Sequence, residues 1–128
     1  MPSYLLDTHT LLWYFEQSDQ LSAQAFKLIT NMDRPIFVSI ASYWEMTIKA
    51  SLAKLELPDE IERMIRHAED ARIQTLQIRA EHFTALYSLP LHHRDPFDRL
   101  IIAQAKVEGM QVISRDAALH AYEVPIVW

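Results

Sequence analysis

The chain contains no cysteine, which removes disulfides and thiolate metal sites from consideration. Their absence fits a reducing compartment, and a cytoplasmic location is the expectation. The first residues, Met-Pro-Ser-Tyr-Leu-Leu-Asp, lack a basic start and a long apolar run, so no signal peptide is expected. No apolar stretch approaches the roughly 18 residues of a membrane span. A single glycine, Gly109, is present, and no repeat, low-complexity tract or linker is visible. Positive charge is also short: 12 Lys and Arg stand against 17 Asp and Glu, for a net charge of −5. That balance is awkward for a protein that holds phosphates, which favour a basic face. Bound cations would reverse the local sign at a metal site; a face for a basic partner is the other outlet. Part of the excess lies in Glu56 to Asp70, with six acids and two arginines.

What is present is apolar and regularly spaced. The 128 residues are 50% hydrophobic, which argues against disorder and for one domain over residues 1–128. A chain of this length buries roughly 70% of its unfolded surface, enough for a core without staples. Tyr4 to Leu6 reads as a buried strand ending at Asp7, followed by a short helix over Leu11 to Phe15. Leu21, Ala25, Leu28, Ile29 and Met32 recur at helical spacing. Pro35 stops that helix, and Ile36 to Val38 is the next strand. Ser39 or Ser42 caps a helix reaching about Leu55. Leu57, Ile61, Met64, Ile65 and Ala68 mark another helix, with Pro58 near its first turn. Ile73 to Leu76 is a strand, and Ala80, Phe83 and Tyr87 share one face of a further helix. Residues 96–108 form a helix with Gly109 as its left-handed stop. Met110 to Ser114 and Pro125 to Trp128 are strands, the last at an edge because it begins with proline. Short apolar strands alternating with helices predict a parallel sheet covered on both faces. Sites in such sheets lie outside the carboxyl ends of the strands.

Four acids fall where that edge should be. Asp7 and Asp116 follow strand ends; Asp98 and Glu45 lie near helix starts. Hard cations such as Mg²⁺ and Mn²⁺ take oxygen ligands, and carboxylates supply both the ligand atoms and the charge. A cluster of carboxylates repels itself unless it binds something. Plainer roles exist for each. Glu45 completes a Ser-x-x-Glu capping box with Ser42, Asp98 at N3 favours the helix dipole, and Asp116 caps the Ala117 to Tyr122 segment. Asp7, closing an apolar strand, points more to a site than to a cap. Asp95, ahead of Pro96, reads first as an N-cap.

Several blocks carry a family resemblance. Leu5-Leu6-Asp7-Thr8-His9-Thr10-Leu11-Leu12-Trp13, Val38-Ser39-Ile40-Ala41-Ser42-Tyr43-Trp44-Glu45 with Ile48-Lys49, Leu89 to Ala105, Val112-Ile113-Ser114-Arg115-Asp116 and Val124 to Trp128 resemble PIN-domain proteins. Within these, the chain is similar to the toxins of bacterial VapC-type toxin–antitoxin pairs. One departure is Ala53 before Lys54, where relatives often carry glycine. The resemblance implies a three-layer α/β/α sandwich around a parallel sheet of order 3-2-1-4-5. It implies a Mg²⁺- or Mn²⁺-dependent endoribonuclease, an inhibitory antitoxin partner and a homodimer. It places Asp7, Glu45, Asp98 and Asp116 in the catalytic metal site. Thr8 would orient Asp7 or a metal-bound water, and Asp95 would sit close by.

Lys49, Arg94, Arg99 and Arg115 flank the acids and are candidates for holding substrate phosphates, against ordinary surface charge or pairing with the acids. The six histidines match no zinc signature, so no histidine ligand is expected; His92 or His93 touching RNA is the better role. Trp13, Tyr14, Phe15 and Trp44 suit packing more than base stacking. Leu52, Leu55 and Leu57 would line an antitoxin groove. Two other functions compete. A haloacid-dehalogenase-type phosphatase expects Asp-x-Asp-x-Thr, but His9 holds its third position. A PIN-like module that binds RNA or protein without cutting would not need all four acids.

Overall fold

The computed structural model describes residues 2–128. Its frame is one five-stranded sheet: β1 (Tyr4–Leu6), β2 (Ile36–Ser39), β3 (Ile73–Leu76), β4 (Gln111–Ile113) and β5 (Ile126–Val127). All pairings are parallel, in the order β3-β2-β1-β4-β5. Six helices surround it: α1 (Thr8–Glu16), α2 (Ala23–Thr30), α3 (Ile40–Ser51), α4 (Ile61–Asp70), α5 (Ala80–Ser88) and α6 (Pro96–Glu108). A 3₁₀ turn spans Ala117–Ala121.

Strand alternation sorts the core into two layers. Tyr4, Leu6, Ile36 and Val38 face one cluster with Leu11, Ala25, Tyr43, Met46, Met64 and Ala68, from the first four helices. Leu5, Phe37 and Val112 face a second cluster with Ile101, Ile102, Ala105 and Leu119. Successive strand residues point to opposite faces, so runs apolar at every position are buried on both sides. The result is helices, sheet, helices. Strand β1 lies between β2 and β4, where the chain order reverses, and ligands bind above the carboxyl ends at such a point.

Helix boundaries follow their caps. Asp7 accepts from Thr10 N, so α1 begins at Thr8 and not at Leu11. Asp7 is therefore a cap as well as a strand-end acid. Ser39, not Ser42, caps α3, which places Glu45 well inside the helix and removes its capping-box role. Helix α3 ends at Ser51, before the expected Leu55. Helix α4 starts at Ile61, so Pro58 lies outside it. Leu55 and Leu57 pack against the core from the connecting segment, leaving Leu52 exposed. Phe83 and Tyr87 do share a face of α5, but it faces solvent; the buried residue of that helix is His82. Asp95 caps α6, Pro96 opens it and Gly109 closes it at φ 69°, a backbone conformation that glycine adopts without a Cβ penalty.

Candidate metal centre

The sheet brings Asp7 and Asp116 to the reversal point from neighbouring strands. Both line one cleft of about 400 Å³, together with His9, Trp13, Arg115 and Ala117. Asp7 is buried and its carboxylate is held at both oxygens. Oδ1 accepts from Thr10 N at 2.9 Å and from the Thr10 hydroxyl, while Oδ2 accepts from Ser114 Oγ. Ser114 Oγ in turn accepts from Asp116 N at 3.0 Å, so one serine links the two acids. Burial drives the Asp7 carboxyl above its ordinary range, and these hydrogen bonds oppose that only in part.

Glu45 projects from α3 and is buried. Its Oε1 accepts from Thr8 Oγ1 at 2.6 Å, and its Oε2 accepts from Lys49 Nζ at 2.6 Å, one helical turn on. Thr8 Oγ1 also lies 3.0 Å from Ser42 Oγ. Thr8 thus orients Glu45 and not Asp7, whose orienting residues are Thr10 and Ser114. Sequence reasoning missed both. The Asp-x-x-Thr spacing from Asp7 to Thr10 was the available signal, because it puts the hydroxyl and amide of N3 within reach of a capping carboxylate.

Asp98 sits in the first turn of α6, where Asp95 Oδ1 accepts from Phe97 N at 2.9 Å and Asp98 N at 3.2 Å. His93 Nε2 lies 2.9 Å from Asp98 Oδ2 and 4.0 Å from Asp116 Oδ2. Burial pushes the Asp98 carboxyl up to about 6, the charges of Asp95, Asp7 and Glu45 add to the rise, and the His93 hydrogen bond offsets part of it. Asp95, Asp7 and Glu45 are thus near enough for their charges to bear on Asp98. Asp116 caps the 3₁₀ turn through Ala118 N at 2.9 Å and keeps its other oxygen toward His93.

The flanking cations divide. Lys49 is paired with Glu45, and that hydrogen bond, with the charges of Asp95 and Asp98, holds its ammonium above the ordinary lysine range. Arg99 donates from Nη2 to the Leu89 carbonyl at 3.0 Å. It ties α6 to the end of α5. Arg94 is exposed in the loop before α6. Arg115 lies on the cleft, its guanidinium 5.7 Å from the Trp13 ring centre and Nη1 donating to Gln20 Oε1 at 3.0 Å. Trp13 packs edge-on against Trp128, and Tyr14 and Phe15 pack against the core, as expected for packing residues. Trp44 is mostly exposed and meets Phe97 edge-on beside the acids.

The donor set suits a hard divalent cation. Carboxylate oxygens predominate, they outnumber the one lysine paired among them, and burial together with the neighbouring acids raises the Asp98 carboxyl to about 6. A bound cation of this type lowers the pKa of a coordinated water and neutralises charge on a phosphoryl oxygen.

A PIN domain family model matches residues 4–125. The ribonuclease VapC22 of Mycobacterium tuberculosis is 25% identical over 126 residues, covering 98% of this chain and 95% of that protein. Among solved structures, VapBC2 from Rickettsia felis bound to a promoter DNA fragment superposes with a TM-score of 0.73 at 14% identity, covering 98% of each chain. A toxin–antitoxin complex from Klebsiella pneumoniae superposes with a TM-score of 0.68 at 18% identity, covering 98% of this chain and 97% of that one.

Proposed function

The chain belongs to the PIN domain family, and on that premise we propose that it is a Mg²⁺- or Mn²⁺-dependent endoribonuclease, the toxin of a toxin–antitoxin pair. The observation that carries this reading is that Asp7 and Asp116 line one cleft, with His93 lying between Asp98 and Asp116 and Glu45 bonded to Thr8, the residue after Asp7. The similarity to a ribonuclease over nearly the whole chain narrows it to RNA.

Asp7, Asp98 and Asp116 hold the cation, and Glu45 completes the site. Thr10 and Ser114 fix the Asp7 carboxylate, so little ordering remains to be done when the cation arrives. Thr8 and Lys49 fix Glu45 in the same way. RNA enters over the cleft: Arg115 takes a phosphate, and Arg94 and Lys49 add positive charge at the rim. On this reading the protein works in the cytoplasm and pairs with a second copy of itself, and an antitoxin is its partner, in keeping with the toxin–antitoxin complex it superposes on. The apolar groove of about 670 Å³ between α1, α2 and α4, with Phe26 exposed on it, is a second candidate surface for the antitoxin beside exposed Leu52. Leu55 and Leu57 are committed to the core.

The test is RNA cleavage by purified protein with Mg²⁺, Mn²⁺ or chelator. Cleavage that needs the cation and is lost in Asp116→Asn supports the reading. Metal uptake without cleavage of any RNA, single-stranded or folded, would leave a binding module.

A further inference from the structure

We propose that His93 is a ligand of the divalent cation, beside Asp98 and Asp116, and that its imidazole tilts the site toward Mn²⁺ over Mg²⁺. This rests on the metal-dependent reading above and extends it to a residue outside the four expected acids.

Geometry carries the inference. Among the described residues, one group of His, Asp and Glu side chains has ligand atoms all within 4.8 Å of one another: His93, Asp98 and Asp116. The two distances from Nε2 are 2.9 Å to Asp98 Oδ2 and 4.0 Å to Asp116 Oδ2. A six-coordinate cation with bonds of about 2.1 Å sets adjacent ligands about 3.0 Å apart and opposite ligands about 4.2 Å apart. The observed spacings fall at those two values. His93 therefore stands where a ligand shared with both aspartates would stand.

The other acids point the same way. Each oxygen of Asp7 accepts a protein hydrogen bond, and so does each oxygen of Glu45. With Oδ1 accepting twice, Asp7 keeps a free lone pair only on Oδ2, so it offers a cation one bond and leaves coordination positions to fill. His93 is partly exposed, on the loop that leads into α6, and its Nε2 points at the aspartates. Imidazole suits transition metals, whereas Mg²⁺ favours oxygen and keeps its waters. Adding one nitrogen to a carboxylate site therefore favours Mn²⁺. The competing role is positional: His93 would only hydrogen-bond Asp98 and hold its carboxylate.

Pulsed EPR of the Mn²⁺-loaded full chain separates the two roles. Ligation predicts a ¹⁴N coupling from directly bound imidazole in the wild type, in His9→Ala and in His92→Ala. That coupling disappears in His93→Ala and in His93→Gln, the latter retaining a hydrogen-bonding group toward Asp98. Calorimetry on the same variants should show Mn²⁺ binding weakened about tenfold or more, and Mg²⁺ binding by less than about threefold. A wild-type Mn²⁺ spectrum without nitrogen coupling overturns the proposal, and so does His93→Ala binding both ions like the wild type. In either case the carboxylate site survives if Asp98→Asn still abolishes Mn²⁺ uptake. A wild type that takes up neither ion removes the ligand role and the metal-dependent reading together.

Discussion

Two polar clusters in this fold use similar side chains to opposite ends. On the seam between α5 and α6, Arg79 pairs with Glu81 at 3.0 Å and with Glu108, and His82 Nε2 lies 2.8 Å from Glu108. Arg79 N donates to His82 Nδ1 at 2.9 Å, so the proton of that buried imidazole sits on Nε2, facing Glu108. Each acid there has a partner, and the Arg79 hydrogen bond holds the Glu81 carboxyl below its ordinary range. At the carboxyl edge of the sheet the shift has the other sign: Asp98 rises to about 6. Lys49 cannot offset Asp7, Glu45, Asp95, Asp98 and Asp116 together. The seam pairs its acids within the protein; the rim does not, and on the proposed reading a cation completes it.

The sharpest way to break that contrast is Asp7→Asn. Losing a residue that merely orients a metal ligand costs 10- to 100-fold, so losing a ligand should lower RNA cleavage by about a hundredfold or more. The melting temperature should not fall, because a buried charge is removed and the cap to Thr10 N can persist through the amide oxygen. Glu81→Gln on the seam should leave cleavage unchanged. Equal losses in the two variants would show that the rim has no special role.

Stability should respond with opposite signs. A carboxyl raised from 3.8 to about 6 favours the folded state while protonated. Its contribution is present below pH 4 and is lost as pH rises through about 6. In chelator at pH 8, Asp98→Asn should therefore stabilise the protein, on the order of 2 kcal/mol. Glu108→Gln should destabilise it by up to about 1 kcal/mol, since it weakens a charge-assisted hydrogen bond without relieving repulsion. Chemical denaturation measures both, and a destabilised Asp98→Asn would mean that the rim is as self-sufficient as the seam. The same shift predicts that cation affinity falls below pH 6, by up to about tenfold per unit, as Asp98 must release its proton to bind. Calorimetry in buffers of different ionisation enthalpy should detect that proton near pH 6 and hardly at pH 8.

The layers were legible because this sheet is buried on both faces, so Tyr4 to Leu6 and Ile36 to Val38 could be read without periodicity. The parallel order itself came from the family resemblance, since short apolar runs do not rank their own neighbours. The acids were legible as types at strand ends and helix starts. Their holders were not: Thr10, Ser114 and the pairing of Thr8 with Glu45 depend on side-chain directions that spacing leaves open. Phe83 and Tyr87 show the limit of periodicity, which found the α5 face but not whether it turns inward. His93 was passed over because its partners lie on α6 and after β4, so no local spacing marks it.

The subtlest comparison sets Lys49 against Arg79, the cations of the two clusters. Lys49 lies 2.6 Å from Glu45, and Asp95 and Asp98 also favour its charge. On the metal-dependent reading it competes electrostatically with the cation. Lys49→Met should therefore tighten Mn²⁺ binding, by roughly two- to fivefold, the scale of a unit charge several ångströms away near a solvated surface. It should also lower the melting temperature in chelator, and saturating Mn²⁺ should recover that loss because it supplies the missing charge. Arg79→Met should leave Mn²⁺ affinity where it was, and any thermal loss should persist in Mn²⁺, since its acids lie outside the rim. Weaker Mn²⁺ binding in Lys49→Met would instead show that the lysine holds Glu45 in a ligating position, so that ordering outweighs charge at this edge of the sheet.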